Sequence, residues 1–233
     1  MTDTTDTTDG TELVCRAVLF DLDGVLVASG TVVERSWTEW ARRQGLAPER
    51  VLAACHGKRS KDVVAALAPH LDAPAEASRL EAVQAADADG LTRCTGAEAV
   101  LAALAGVAWA VVTSGTRALA TSRLRGVGLP VPDVLVTADD VSSGKPAPDG
   151  YLTAAAALGA RAADCVVVED ARPGVTAARA AGMAVVGIRG PALGPEEELD
   201  RVVDSVGDLA PRVRAQRIVL LGRAPVTRPK EAS

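Results

Sequence analysis

Asp21 and Asp23 stand two residues apart in Asp21-Leu22-Asp23-Gly24. On an extended chain, side chains two apart point the same way, so the two carboxylates would share one side of the backbone. Gly24 lets the chain turn beside them. A second acidic pair, Glu169-Asp170, follows a wholly apolar run. Together these groups supply oxygen ligands for a hard cation. Mg²⁺ fits such a set, since it takes few protein carboxylates, keeps several waters and accepts a substrate phosphate. Plainer accounts also exist: a simple Asp-x-Asp-Gly turn for the first pair, and a helix N-cap for the second. An EF-hand is excluded, because no glutamate completes a twelve-residue loop.

Thr113-Ser114-Gly115 ends another apolar run just before a helical segment. Hydroxyls and backbone N–H groups at a helix N-terminus make an anion site, although ordinary capping needs the same residues. Lys145 sits between Gly144 and Pro146. It would balance charge at a phosphate, or else be a solvated loop lysine. The sequence has no P-loop, no G-x-G-x-x-G after a strand and no G-x-S-x-G elbow. That argues against an NTPase, a dinucleotide enzyme and an α/β-hydrolase.

These groups need a scaffold, and the chain of 233 residues spells one out. The apolar runs Ala17–Phe20, Trp109–Val112, Val134–Val136, Cys165–Val168 and Ala184–Ile188 carry no charge. Their length and composition predict strands buried on both faces. Ala97–Leu104, Arg117–Gly126, Asp149–Leu158 and Gly174–Ala181 carry apolar residues at helical spacing, and glycine follows several of them. Strand alternating with helix predicts a parallel sheet with crossover helices, an α/β fold. Its ligands would bind outside the carboxyl ends of the strands, where the polar groups above collect. Residues 31–90 break the alternation. They read as four helices (Val32–Gln44, Pro48–Cys55, Ser60–Leu67 and Pro74–Ala88), a helical module inserted between the first two strands. Val202–Leu220 reads as a final strand and helix.

Composition removes other classes. The 48% hydrophobic and 24% charged residues are those of a globular protein. Two histidines, His56 and His70, leave little material for a Ser-His-Asp triad or a multi-histidine zinc site. One Phe, one Tyr and three Trp are too few for most single-strand nucleic-acid platforms. The net charge of −5 offers no overall basic footprint for nucleic acid or an anionic membrane. No two of Cys15, Cys55, Cys94 and Cys165 form a CxxC pair, and Cys15 and Cys165 read as small core residues. Without a signal peptide or an apolar run of about 18 residues, the expectation is a cytoplasmic protein with reduced thiols. The Thr/Asp-rich residues 1–12 and the segment 224–233 are expected to be disordered tails.

The four polar sites, in this order, resemble the haloacid dehalogenase (HAD) superfamily of phosphohydrolases. The signature reads Asp21-Leu22-Asp23-Gly24, Thr113-Ser114-Gly115, Gly144-Lys145-Pro146 and Val168-Glu169-Asp170. The resemblance implies a Rossmann-like parallel sheet core over 13–28 and 91–223, with an inserted helical cap over 29–90. It also implies that Asp21 is the nucleophile and Asp23 the acid and base. Asp21, Asp23 and Asp170 would hold Mg²⁺, with Glu169 secondary. Thr113, Ser114, Gly115 and Lys145 would hold the phosphate. An Asp at the second position looks like the phosphotransferase and phosphatase branch, not the dehalogenases that lack it. Many members follow the acidic pair with Ser, where this chain has Ala171, a loss of local support for the loop.

The cap segment His56-Gly57-Lys58-Arg59 is similar to a loop in HAD sugar-phosphate and glycerol-phosphate phosphatases. The loop would contact substrate; as plain structure it would be a capping histidine and a solvated basic face. Trp37 and Trp40 share a helical face, for packing first and sugar stacking second. The resulting expectation is a Mg²⁺-dependent phosphatase of small sugar or polyol phosphates. Its partner would be a small phosphorylated metabolite, with no nucleic acid and no membrane, and the protein would be a monomer or small homo-oligomer. The rivals are a phosphomutase of the β-phosphoglucomutase type and a non-enzymatic HAD-like binding module. The module would be expected to have lost Asp21, Asp23, Lys145 or Asp170.

Overall fold

The uncharged, β-branched runs lie side by side because each can bury both faces. The computed structural model describes residues 12–194, 199–214 and 217–222. In chain order its elements begin with β1 (Leu13–Cys15), β2 (Ala17–Phe20), β3 (Val27–Ala28), α1 (Gly30–Arg43), α2 (Pro48–Cys55), α3 (Ser60–Leu67) and α4 (Ala73–Ala86). They continue with β4 (Thr92–Arg93), α5 (Ala97–Ala103), β5 (Ala108–Val112), α6 (Arg117–Gly126), β6 (Leu135–Val136) and α7 (Asp149–Ala157). The chain closes with β7 (Cys165–Glu169), α8 (Arg172–Ala180), β8 (Ala184–Ile188), β9 (Arg201–Val203), β10 (Leu209–Arg214) and β11 (Arg217–Gly222).

A six-stranded parallel sheet runs β6-β5-β2-β7-β8-β9, with β2 near its centre. Its two faces carry separate cores. One holds Phe20, Val111 and Val168 with Leu101 and Leu124, and the other holds Leu19, Val112 and Val167 with Tyr151 and Val175. This is the expected Rossmann-like α/β sheet.

The chain leaves this sheet after β2, and β3 and β4 form a separate two-stranded ladder in which Ala28 pairs with Thr92 and Val27 with Arg93. Between these positions lie α1 to α4, with a core of their own around Trp37, Trp40, Val51, Val63 and Leu80. Trp37 and Trp40 meet edge to face, with ring centroids 5.3 Å apart at 82°. Packing is thus their first role.

One expectation fails. Over Val202–Leu220 there is a strand, β9, but no α-helix among the described residues. Instead β10 and β11 form an antiparallel hairpin, and β1 pairs with β11 as the third strand. The physical reason is periodicity: Ile218 and Leu220 are fully buried and Val219 between them is not, a spacing of two that suits a strand. Pro211 further disfavours a helix over Leu209–Arg214. The tails expected over 1–12 and 224–233 lie outside the described residues, apart from exposed Glu12. Cys15 and Cys165 are buried in the core as expected, and Cys55 is buried in the cap. No described helix is long and apolar enough to cross a membrane.

Candidate active site

Strand register decides which polar groups meet. Phe20 pairs with Val111 on one side and Val168 on the other. The residues that follow are therefore level, and Asp21 emerges between Val112 and Glu169. The Asp21 N–H still donates to the Val168 carbonyl at 3.0 Å, which holds this residue in the sheet edge. Just past the end of β5, the Thr113 N–H donates to the Val136 carbonyl at 2.9 Å.

Lys145 reaches this edge from the loop after β6 and is buried. Its Nζ donates to Asp21 Oδ1, to Glu169 Oε1 at 2.7 Å and to the Val112 carbonyl at 3.2 Å. Three donors thus find three acceptors. The ammonium also lies 5.1 Å from the centroid of the Tyr151 ring. Glu169 is fully buried and equally occupied. Its Oε1 also accepts from the Tyr151 hydroxyl at 2.9 Å, while Oε2 accepts the N–H groups of Asp170 and Ala171 at 2.9 and 3.0 Å. Support for the loop at Ala171 therefore comes from Glu169, with no hydroxyl at position 171.

Two glycines make room for these carboxylates. A Cβ on Gly174 would lie 1.5 Å from Glu169 Oε1, and one on Gly24 would lie 1.9 Å from Asp170 Oδ2. Gly24 also has a φ of 81°, in the left-handed region.

Carboxylate oxygens of Asp21, Glu169 and Asp170 all lie within 4.8 Å of one another. Burial pushes the Asp21 carboxyl up to about 7; Lys145 opposes this, and Glu169 and Asp23 add to it. Burial, then Glu169 and Asp21, likewise raise Asp170 well above the usual carboxylate range. At Lys145 burial disfavours the charge, but Asp21 and Glu169 outweigh it, so its ammonium is held well above its ordinary value. One buried ammonium among three carboxylates leaves negative charge uncompensated. A divalent cation would supply the missing charge and reverse the shifts at Asp21 and Asp170. The donor set fits a hard cation, with Asp21 and Asp170 the better ligands because Glu169 already accepts four hydrogen bonds.

Asp23 is held from both sides. Its Oδ1 accepts from the Ser29 hydroxyl at 2.6 Å and its Oδ2 from Arg123 Nη1 at 2.6 Å. Arg123 Nη2 donates to Gln84 Oε1 at 2.8 Å, and Gln84 Nε2 donates to the Ser36 hydroxyl at 2.9 Å. Ser29, Gln84 and Arg123, like Tyr151, were not singled out from the sequence. A signal existed for Arg123. It follows Leu119 by four residues and Ala120 by three, so it occupies a buried helical face where a charge is expected only with partners.

The cap loop between α2 and α3 lies over Thr113-Ser114-Gly115. The Ser114 hydroxyl donates to the Gly57 carbonyl at 2.9 Å. His56 and Lys58 are exposed and line the cavity above Asp21, Asp23, Thr113 and Asp170. Arg59 corrects an expectation: it does not line this cavity. It is buried, pairs with Asp62 and donates from Nη1 to the carbonyls of Val141 and Ser142 at 3.2 and 2.9 Å. It bolts the cap to the core, because a buried guanidinium needs acceptors and those carbonyls supply them. The cavity is about 360 Å³, and Trp37 and Gln84 also contribute to its wall. That is near the lower end of the roughly 300–1,000 Å³ of small-molecule sites.

Known proteins resemble this chain in sequence and fold. A family profile described as haloacid dehalogenase-like hydrolase matches residues 15–182. Hexitol phosphatase A of Escherichia coli (strain K12) is 47% identical over 198 residues, covering 82% of this chain and 92% of that protein. Validoxylamine A 7'-phosphate phosphatase of Streptomyces hygroscopicus subsp. limoneus is 39% identical over 183 residues, covering 74% of this chain and 85% of that protein. Among solved structures, CbbY from Rhodobacter sphaeroides in complex with phosphate matches with a TM-score of 0.73 at 25% identity. That match covers 83% of this chain and 96% of that one. On the span of the family match, the carboxylates at the ends of β2 and β7, and the buried lysine between them, the chain belongs to the haloacid dehalogenase-like hydrolases.

Proposed function

We propose that this protein is a Mg²⁺-dependent phosphatase of small polyol and sugar phosphates, working in the cytoplasm through an aspartyl-phosphate on Asp21. The observation that carries the reading is the buried Asp21–Lys145–Glu169 cluster, whose Asp21 lines, together with Asp23 and Asp170, a cavity of about 360 Å³. The similarity to two proteins named as phosphatases of small phosphorylated compounds supports it.

Asp21 attacks phosphorus, forming an Asp21–phosphate bond as the bond to the leaving oxygen breaks. A carboxylate is an established nucleophile for such transfers. Asp23 gives its proton to the leaving oxygen. It then takes a proton from water, whose oxygen attacks phosphorus and frees both Asp21 and inorganic phosphate. Thr113 and the backbone N–H of Ser114 hold the transferring oxygens. Lys145 joins them as Asp21 bonds to phosphorus and releases its ammonium, and the Gly115 N–H, which donates to Thr113 Oγ1 at 3.2 Å, orients that hydroxyl. Asp21, the Asp23 carbonyl and Asp170 would bind Mg²⁺, with Glu169 positioning Lys145 beside them. When bound, the ion supplies positive charge against the phosphate, the main need of phosphoryl transfer.

We assign residues 29–90 as a cap that closes on the core formed by 13–28 and 91–223, excluding bulk water. His56, Gly57 and Lys58 meet the substrate beyond its phosphate, and Arg59 fixes their loop. The test is inorganic phosphate release from hexitol, hexose, pentose and glycerol phosphates, with and without Mg²⁺. Mg²⁺-dependent release from polyol or sugar phosphates is the expected result. Silence across the panel, with isomer interconversion of a sugar phosphate primed by a bisphosphate, would instead select the phosphomutase.

A further inference from the structure

Arg123 is a charged side chain at a place where charge is costly. It lies in the buried face of α6, 3% exposed, between Ala120 and Leu124. Among the described residues its Nε has no hydrogen-bond partner. A buried guanidinium is tolerated only where its contacts compensate. Those contacts point one way. Nη1 meets Asp23 across 100 positions of sequence, and Nη2 meets Gln84 of cap helix α4. Gln84 is itself held against Ser36 of cap helix α1. The chain Asp23–Arg123–Gln84–Ser36 thus crosses from the core to the cap.

We infer that Arg123 is a positioning residue: it aims the Asp23 carboxyl at the leaving oxygen and ties that aim to the seating of the cap. The geometry has two parts. Ser29 fixes one Asp23 oxygen from the core side and Arg123 fixes the other, so the carboxyl plane has little freedom to rotate. The fork of Arg123 spans Asp23 and Gln84 at once, so displacing α4 removes the brace from the group that orients the acid. A planar guanidinium does this; a single ammonium does not.

This inference rests on the proposed phosphatase reaction, and the test separates the two. Arg123→Met, Arg123→Lys and Gln84→Met are compared with wild type by kcat/KM on three substrates. These are a hexitol phosphate, a simple alkyl phosphate without further hydroxyls, and an aryl phosphate whose phenol leaves without a proton. Proton donation matters for the first two and little for the third. Arg123→Met is expected to lose about tenfold or more on both alkyl-type substrates, within the usual range for general acid catalysis. On the aryl phosphate it should stay within about threefold, well short of a general-acid loss. Arg123→Lys should recover part of the alkyl loss. Gln84→Met should show the same pattern in smaller measure, and it decides the matter alone if Arg123→Met does not fold.

Equal losses on all three substrates would overturn the role, since a merely structural residue disturbs them alike. A loss confined to the hexitol phosphate would overturn it too, by making Arg123 a hydroxyl-binding group. Wild type inactive on all three would overturn the phosphatase reading itself, a result visible before any variant is compared.

Discussion

Glu169→Gln tests whether the acidic cluster is held together by Glu169 acting as acceptor. The substitution keeps the shape of the side chain but turns one acceptor oxygen into a donor. Glu169 accepts from Lys145 at 2.7 Å and Tyr151 at 2.9 Å on one oxygen, and from two backbone N–H groups at 2.9 and 3.0 Å on the other. Whichever way the amide turns, its nitrogen meets donors that cannot accept: two backbone N–H groups on one side, the Lys145 ammonium on the other, where only the Tyr151 hydroxyl can turn to accept. Each buried donor left unmatched costs about 1–3 kcal/mol. Part of that cost returns, because Glu169 helps to raise both Asp21 and Asp170 and its removal relieves them. The net loss should be about 2–4 kcal/mol, a large share of the roughly 5–15 kcal/mol of a typical domain. Urea unfolding in chelator, followed by tryptophan fluorescence, measures it. A change within about 0.5 kcal/mol would refute the acceptor argument. A gain in stability would show instead that Glu169 is chiefly a repelling metal ligand.

Two further outcomes follow from the same cluster. In chelator, the Asp21 carboxyl sits near 7 in the folded protein, raised chiefly by burial, against about 3.9 when unfolded. Its contribution to stability is therefore full below about pH 4 and is lost as pH rises through about 7. Mg²⁺ takes the deprotonated carboxylates, so its stabilising shift in Tm should grow between about pH 5 and 7.5; a shift that shrinks or stays flat would contradict this. Gly24→Ala places a methyl 1.9 Å from Asp170 Oδ2 and must displace that carboxylate. The Mg²⁺ concentration for half-maximal Tm shift should rise by roughly 10–100-fold, as when support for a metal ligand is removed; an unchanged value would show that Asp170 is not a ligand.

The sheet was legible because its strands are buried on both faces, so runs such as Cys165–Val168 carry no polar residue to confuse the reading. The polar groups at the ends of those runs were legible for the same reason: parallel register brings strand ends level, and Asp21, Thr113 and Glu169 each follow an apolar run. Lys145 required more, since nothing in Gly-Lys-Pro says that the lysine points inward. The resemblance supplied that. The partners that secure the site lay beyond local pattern. Arg123 is 100 positions from Asp23, and Gln84 sits on an alanine-rich cap helix whose pattern marks no position as special. Tyr151 was visible only as an apolar residue of α7, although its hydroxyl anchors Glu169. Arg59 shows the limit within a motif. It stands beside Lys58, yet Lys58 is exposed at the cavity and Arg59 is buried against the carbonyls of Val141 and Ser142. The final hairpin was missed because Val202–Leu220 mixes charged and apolar residues, and Ile218 and Leu220 are buried by long-range packing into the sheet core, which no local pattern shows.

The proposed reaction stands on Asp21 forming the bond to phosphorus. Phosphate release from a hexitol phosphate in Mg²⁺, by wild type and by Asp21→Asn, tests it most directly, with Tm recorded for both proteins. Asparagine keeps the size of the side chain and removes its nucleophilic oxygen. The expected result is a folded variant whose kcat falls by about 10⁴-fold or more, as when a covalent nucleophile is removed from other enzymes. A folded Asp21→Asn protein that keeps activity within about tenfold of wild type, far short of that loss, would contradict the claim.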